Sequence, residues 1–521
     1  MTTLAERFGN PAAFAIGAEL VSTRGTLAEP RAARTLEFAR ELADLVHLDW
    51  VSITDNAGGN PMLAPTALGR PLRAAGREVL IHLSCKDLNR NALESTAWQL
   101  ASEGFENLLV LSGDASAAGV GGGAKQVFDL DSVGLLTLLG RMNAGLDVTK
   151  PKAKRPARLA PTRFFPGAAV TNFKLHENEV VPQLLKAERK IAAGARFFIN
   201  QIGYDARKMH ELSLWFRARG HGGVPLIGNV YLLSPGVARV FRAQRIPGVT
   251  ISAELAAVCE RQDASPDKGR AFFLELAAKQ VAIYRGLGYR GAYLGGVHAG
   301  ADLERVLEIE RRFAPDDWRQ FARELRYSRP GEYFLYGEDP ATGLADATRP
   351  NLPDEASRRA AARNVTFTYR FAKFTHAAMF SPGKGLWNLG AKLSRGARDS
   401  KQGPPLMHPV EHLGKSLMFG CQDCGDCSLP DIAFLCPESS CAKNQRNGPC
   451  GGTRDGKCEV HDFECIWARA YDRLKHEGRA DQLLAHTPVI QDQSLRGTSS
   501  WANTWLGRDH LAPSHSAQTP T

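Results

Sequence analysis

The chain has 521 residues, 43% of them hydrophobic, and a formal net charge of +10. That length allows roughly two to four ordinary domains, or one large barrel with appendages, and the composition is that of a globular protein with a full core. No uninterrupted run of about 18 apolar residues occurs, which argues against a helical membrane span. The start, MTTLAERFGNPAAF, lacks the apolar core of a secretory signal, so a cytoplasmic protein is expected.

The first 300 residues alternate short β-rich runs with longer helical stretches. In chain order the runs are AIGAEL (15–20), WVSITD (50–55), VLIHLSC (79–85), NLLVLSGD (107–114), GAAVTN (167–172), FFINQIGY (197–204), PLIGNVYLL (225–233) and GAYLGG (291–296). Stretches such as 33–47 and 180–194 carry apolar residues at three- and four-residue steps, as helices do. Gly104 and Gly194 fall just past helix ends. Eight near-continuous apolar strands, each followed by a crossover, predict a parallel sheet buried on both faces. Eight strands close a (β/α)8 TIM barrel; an open doubly wound sheet is the competing arrangement. No GxGxxG follows the first strand, which weighs against a dinucleotide fold. GVGGG (119–123) reads as a flexible loop. KPKAKRPARLAPTR (150–163) carries six basic residues and no acid. It reads as a solvated basic loop, the other reading being a docking surface for an acidic partner. No helix-turn-helix or RNA-recognition signature accompanies it, so nucleic acid is set aside.

From about 300 the rhythm stops. Residues 301–315 and 356–380 read as helices, and 329–355 as a long irregular connection. The expected organisation is a barrel over 1–310, a helical and irregular connector over 311–400, a cysteine-rich metal-binding domain over 401–490, and a disordered tail over 491–521.

In such a barrel the chemistry sits at the C-terminal strand ends. The polar residues there are Glu19, then Thr54, Asp55 and Asn56, then His82 with Cys85 and Asp87, then Asp114, Thr171, Asn172, Gln201, Asn229, Tyr231, Gly295 and Gly296. A lone acid at a strand end is often a helix cap. Together these residues put carboxylates, an imidazole and amides at one mouth. No HExxH or GxSxG is present, which disfavours a metal hydrolase or a nucleophile elbow. Proton transfer and cofactor chemistry remain.

HLSCKDLNRNALES (82–95) followed by GFENLLVLSGD (104–114), the glutamate of AEL (18–20), VSITDN (51–56) and GARFFINQIGYD (194–205) resemble the methylenetetrahydrofolate reductase family over roughly residues 10–310. The resemblance implies a flavin-containing barrel moving a hydride between flavin N5 and the one-carbon bridge of a tetrahydrofolate derivative. Glu19 matches the family's general acid, which protonates N10 and opens the five-membered ring, generating an N5 iminium. Asp114 matches the aspartate beside pterin and flavin. Gln201 matches the pterin-binding glutamine, with Tyr231 as a further substrate contact. Thr54, His82 and Lys190 match flavin-contacting positions. Ser112 and Asn172 are also expected at the cofactor, Ser112 standing where relatives have an arginine and Asn172 where they have a tyrosine; Asp55 likewise replaces a tyrosine, and GGVHAG stands where they have an arginine after the eighth strand. FAD is expected, with FMN second. NAD(P)H or a redox protein is the electron partner, and a homo-oligomer is the expected state. The direction is open: methyl groups for methionine biosynthesis, or oxidation of methyltetrahydrofolate. A folate-binding or assembly protein, or a folate-dependent methyltransferase, on the same barrel is the rival reading.

Eight of the ten cysteines crowd into one short stretch: Cys421, Cys424, Cys427, Cys436, Cys441, Cys450, Cys458 and Cys465. Eight thiols make two sets of four, which suits two [4Fe-4S] clusters or structural zinc. Disulfides are not expected in a cytoplasmic protein. NGPCGG (447–452) resembles the C-terminal module found with some reductases of this family. That module would be a metal-dependent folding unit, an electron inlet, or a dock for a redox partner.

Overall fold

The computed structural model describes residues 2–115, 118–119, 122–148, 157–397 and 401–512. Eight strands, β1 (Ala15–Leu20), β2 (Trp50–Ile53), β3 (Glu78–Ser84), β4 (Asn107–Leu111), β5 (Phe165–Val170), β6 (Phe197–Asn200), β7 (Leu226–Tyr231) and β8 (Gly291–Gly295), pair in parallel in chain order. β8 closes on β1, so the sheet is a barrel and not an open sheet.

Each strand is buried on two faces, and the alternation of its side chains decides what goes where. In β1, Ile16, Ala18 and Leu20 face the helices and join the large outer core. Ala15, Trp50, Leu80, Leu109, Phe197, Ile199, Ile227 and Tyr293 form a second, inner core. Helix Leu4–Gly9, started by a Thr3–Glu6 capping box, seals the N-terminal end of the barrel. Its Phe8 ring lies 5.0 Å from Phe197 and 6.2 Å from Trp50. Gly17 is required there, since a Cβ would stand 2.0 Å from the Trp50 ring. Phe8→Ala is expected to cost about 3–5 kcal/mol by opening a cavity under the barrel. Denaturant unfolding checks this, and a loss under about 1 kcal/mol would mean that the seal is dispensable.

Helix Glu177–Ala192 is buried along both sides. Val180, Leu184 and Ala187 face the barrel core, whereas Leu185 joins a separate cluster with Ile432, Leu435, Ile466, Trp467 and Tyr471 of the cysteine-rich region. The C-terminal region therefore packs on the barrel wall.

Four stretches differ from expectation. Residues expected as irregular hold an antiparallel pair, Tyr336–Glu338 with Ala345–Pro350. The helix expected over 356–380 breaks at Ala362–Asn364 into Glu355–Ala361 and Phe367–Met379. The expected tail contains Gln493–Leu495 and helix Ser500–Trp505. Ser499 caps that helix, and Ala502 and Asn503 are buried in it. Small residues that read as low in apolar content are held there by hydrogen bonds: Asn503 Nδ2 donates to Gly425 O and Ser499 Oγ to Glu411. Within the glycine-rich loop, Ala118–Gly119 pairs with Gly122–Gly123. Of the basic stretch, 150–156 lies outside the described residues. In the remainder, Arg158 pairs with Asp147 and Arg163 with Glu106, so those charges are neutralised.

Candidate functional site

Residues 15, 17 and 19 share the inward face of β1, which carries Glu19 into the barrel near its C-terminal end. Burial pushes the Glu19 carboxyl above the ordinary glutamate range, and a hydrogen bond from Tyr293 offsets part of that rise. Tyr293 Oη donates to Glu19 Oε1 at 3.0 Å. Ser52, opposite Glu19 in the β1–β2 register, stands beside the Tyr293 hydroxyl and lies 2.7 Å from His82 Nε2. Desolvation alone holds His82 down at about 4, so the ring is neutral near pH 7. A Cβ on Gly295 would stand 3.1 Å from Glu19 Oε2 and 3.1 Å from the Tyr231 ring, so this glycine keeps the space beside the acid free. Glu19, His82 and Tyr231 thus come together. Tyr293 and Ser52, which complete the group, were missed because only strand ends were read. Their signal is inward parity: Tyr293 is two residues before Gly295, and Ser52 two before Thr54.

The other predicted residues spread around the mouth. Thr54 Oγ1 accepts from Ser22 N at 3.4 Å. Gln201 Oε1 accepts from Ile202 N, and its amide nitrogen faces Gly248 beside Gly451 O. Asp114 follows β4 and faces the Lys443 ammonium. Lys190 donates to Ala169 O at 2.7 Å, and burial lowers it to about 7. Asn172 is spent in the barrel wall, where its Nδ2 donates to Lys208 O at 2.7 Å. Ser112 Oγ donates to Gln445 Oε1 at 3.0 Å, so the position where relatives have an arginine is occupied by a contact to the C-terminal module. For a flavin, Thr54, His82, Asp114 and Lys190 would offer hydroxyl, imidazole, carboxyl and amino groups at the C-terminal ends of the strands. Asn172 and Ser112 are committed elsewhere.

The C-terminal module reaches the same rim. Lys174 Nζ donates to Gly451 O and Thr453 O at 2.6 Å each. Lys186 Nζ donates to Gln445 Oε1, Gly448 O and Pro449 O. Lys443 donates to Gly113 O at 2.8 Å and pairs with Glu459. Asn447 is clamped by Asp131, the cap of helix Ser132–Ala144. Residues 443–453 are therefore a wall of the mouth over β4 to β6. No sequence signal pointed to this.

All ten cysteines are free thiols. Cys441, Cys450, Cys458 and Cys465 line one pocket with Lys443, Glu459 and Trp467. Cys421 and Cys424 each lie within range of the charges of Cys427 and Cys436. Backbone N–H groups point at several sulfurs: Asp423 at Cys421, Gln445 at Cys441, Gly452 at Cys450 and Val460 at Cys458, at 3.4–3.5 Å. Burial and the neighbouring thiol of Cys450 push Cys441 up to about 12. Among the described residues, no three His, Cys, Asp or Glu side chains are arranged to hold a single metal ion. The second set of thiols rings a pocket without converging on one point.

Fold and site define a (β/α)8 barrel with a half-buried carboxyl acid near its mouth, walled by a cysteine-rich module. The family model described as methylenetetrahydrofolate reductase matches residues 28–287, and the one described as methylene-tetrahydrofolate reductase C terminal matches residues 404–494. The chain belongs to the methylenetetrahydrofolate reductase family. No curated protein matches it. Solved structures similar to it include an uncharacterized protein from Clostridium thermocellum that binds two copies of 5-methyl-5,6,7,8-tetrahydrofolic acid (11% identity, TM-score 0.43, covering 59% of this chain and 97% of that one). A 2,3-dimethylmalate lyase of the PEP mutase/isocitrate lyase superfamily follows (13%, 0.33, 60% and 86%). A third is the Yersinia pestis DHPS with a pterine-sulfa conjugate (11%, 0.30, 58% and 95%). No helix among the described residues is long and apolar enough to cross a membrane.

Proposed function

We propose that the protein is a flavin-dependent oxidoreductase interconverting 5,10-methylenetetrahydrofolate and 5-methyltetrahydrofolate. The observation that carries this reading is Glu19, a half-buried carboxyl raised above its ordinary range by desolvation, in a barrel of this family. Bound flavin would supply hydride transfer at its N5. Thr54, His82, Asp114 and Lys190 would hold the flavin, and Gln201 and Tyr231 would hold the pterin. Glu19 would deliver a proton to folate N10 as the ring opens and take it back in reverse. An acid able to do this near neutral pH must resist ionisation, and burial of Glu19 supports that. The walling of the rim by residues 443–453 would exclude water from the same space.

The two cysteine sets would hold metal. A cluster of iron and sulfide, or structural zinc, would suit Cys441, Cys450, Cys458 and Cys465, four thiols that line a shared pocket. Such a cluster would supply one-electron transfer, with a redox protein as the partner outside.

Anaerobic purification, with flavin, iron and zinc quantified on one sample and assayed with 5-methyltetrahydrofolate and a dye acceptor, tests this reading. Flavin with about eight irons per chain and dye reduction are expected. Protein that binds folate but carries no flavin would overturn the oxidoreductase reading. Zinc without iron would make the module structural.

A further inference from the structure

Glu19 does not stand alone. Side chains from four consecutive strands, β8, β1, β2 and β3, stand in one row: Tyr293 donates to Glu19 at 3.0 Å, Ser52 stands beside the Tyr293 hydroxyl, and Ser52 and His82 share a hydrogen bond of 2.7 Å. A tyrosine hydroxyl has one proton, and Tyr293 gives it to Glu19 Oε1.

The far end fixes the acid. A protonated carboxyl has one carbonyl oxygen and one hydroxyl. Oε1 accepts from Tyr293, so the proton of Glu19 sits on Oε2. That oxygen is the one lying toward Gly295 and Tyr231. We propose that Tyr293, braced by Ser52 and His82, is the positioning residue of Glu19 and keeps its transferable proton on the oxygen that faces the mouth. This deepens the reading of Glu19 as proton donor and rests on it.

The titratable groups facing Glu19 are Tyr293 from β8 and Tyr231 from β7, with His82 from β3 one bond further along the row. Burial raises Glu19, and the Tyr293 bond lowers it. Removing that bond leaves burial unopposed, so the carboxyl holds its proton to higher pH.

Tyr293→Phe tests the proposal in the flavin-loaded protein. The ring keeps its stack on Trp50, at 5.3 Å and 12°, so the variant folds. The assay is steady-state reduction of methylenetetrahydrofolate. The expected result is a kcat fall of about 10- to 100-fold with KM for folate and flavin content unchanged. The alkaline limb of the pH profile should move up by about one unit. Ser52→Ala should move the limb the same way, by less. Infrared spectra, read against Glu19→Gln, should show the Glu19 carbonyl stretch shifting to higher frequency in Tyr293→Phe, because its hydrogen bond is gone. An unmoved limb and an unmoved carbonyl band, in a protein whose wild type turns over folate, overturn the positioning role alone. A wild type without folate turnover overturns the proposed function and this role with it.

Discussion

Glu19→Gln is expected to lower folate turnover by about 10²–10⁴-fold, the contribution typical of a positioned general acid, while flavin stays bound and is still reduced by its donor. Glutamine has the shape of glutamic acid, and its Oε1 can still accept the Tyr293 hydroxyl. It has no proton to give. Half-reactions by stopped flow separate the two steps: flavin reduction unchanged, folate reduction lost. A variant that turns over folate at the wild-type rate would remove Glu19 from the mechanism. Stability follows the opposite sign. The folded-state pKa of Glu19 is raised, so the folded protein binds the proton more tightly than the unfolded chain. The wild type is penalised as pH rises above the ordinary carboxylate range and released from that penalty below it. Glu19→Gln should therefore be at least as stable as the wild type at pH 7, and the difference should vanish in acid. Denaturation midpoints at pH 7 and near pH 4 check this.

Lys186→Met is expected to destabilise the junction of barrel and module by about 3 kcal/mol or more. Lys186 is buried at 1% exposure, and its ammonium serves three oxygens: Gln445 Oε1 at 3.2 Å, Gly448 O at 3.0 Å and Pro449 O at 3.1 Å. Methionine fills the space of the stem and supplies no donor. Two main-chain carbonyls are then left dry and unpaired, and each such loss typically costs about 1–3 kcal/mol. Gln445 also accepts from Ser112, so the disturbance reaches the rim next to Asp114. Limited proteolysis should release the module faster than from wild type, and a calorimetric transition should split off at lower temperature. If the variant is cleaved at the wild-type rate, the module is held by its apolar contacts alone.

The strands were legible because a sheet buried on both faces needs unbroken apolar runs. Glu19, His82 and Tyr231 were legible because each breaks such a run at the end where barrel chemistry collects. Tyr293 lay in plain view in GAYLGG but reads as an ordinary strand aromatic. Only the closure of β8 onto β1 puts its hydroxyl on Glu19. Ser112 and Asn172 could be aligned with flavin-contacting positions, yet the folded chain gives the first to Gln445 and the second to helix Ala206–Ala218. Local composition misread the C-terminal stretch. Ser499, Ser500 and Asn503 look like tail residues until Glu411 and Gly425 are seen to accept their hydrogen bonds.

By itself, then, the sequence determined the number and order of the barrel strands, the acid on the first of them, and two sets of four thiols near the end. Those features rest on short-range periodicity and spacing, which the chain carries locally. Tertiary structure alone decided that the module walls the mouth, since Lys186 and Gln445 are 259 residues apart. It alone decided that Tyr293 and Ser52 complete the acid, because hydrogen bonds across a closed sheet depend on which strands become neighbours, and no local pattern records that.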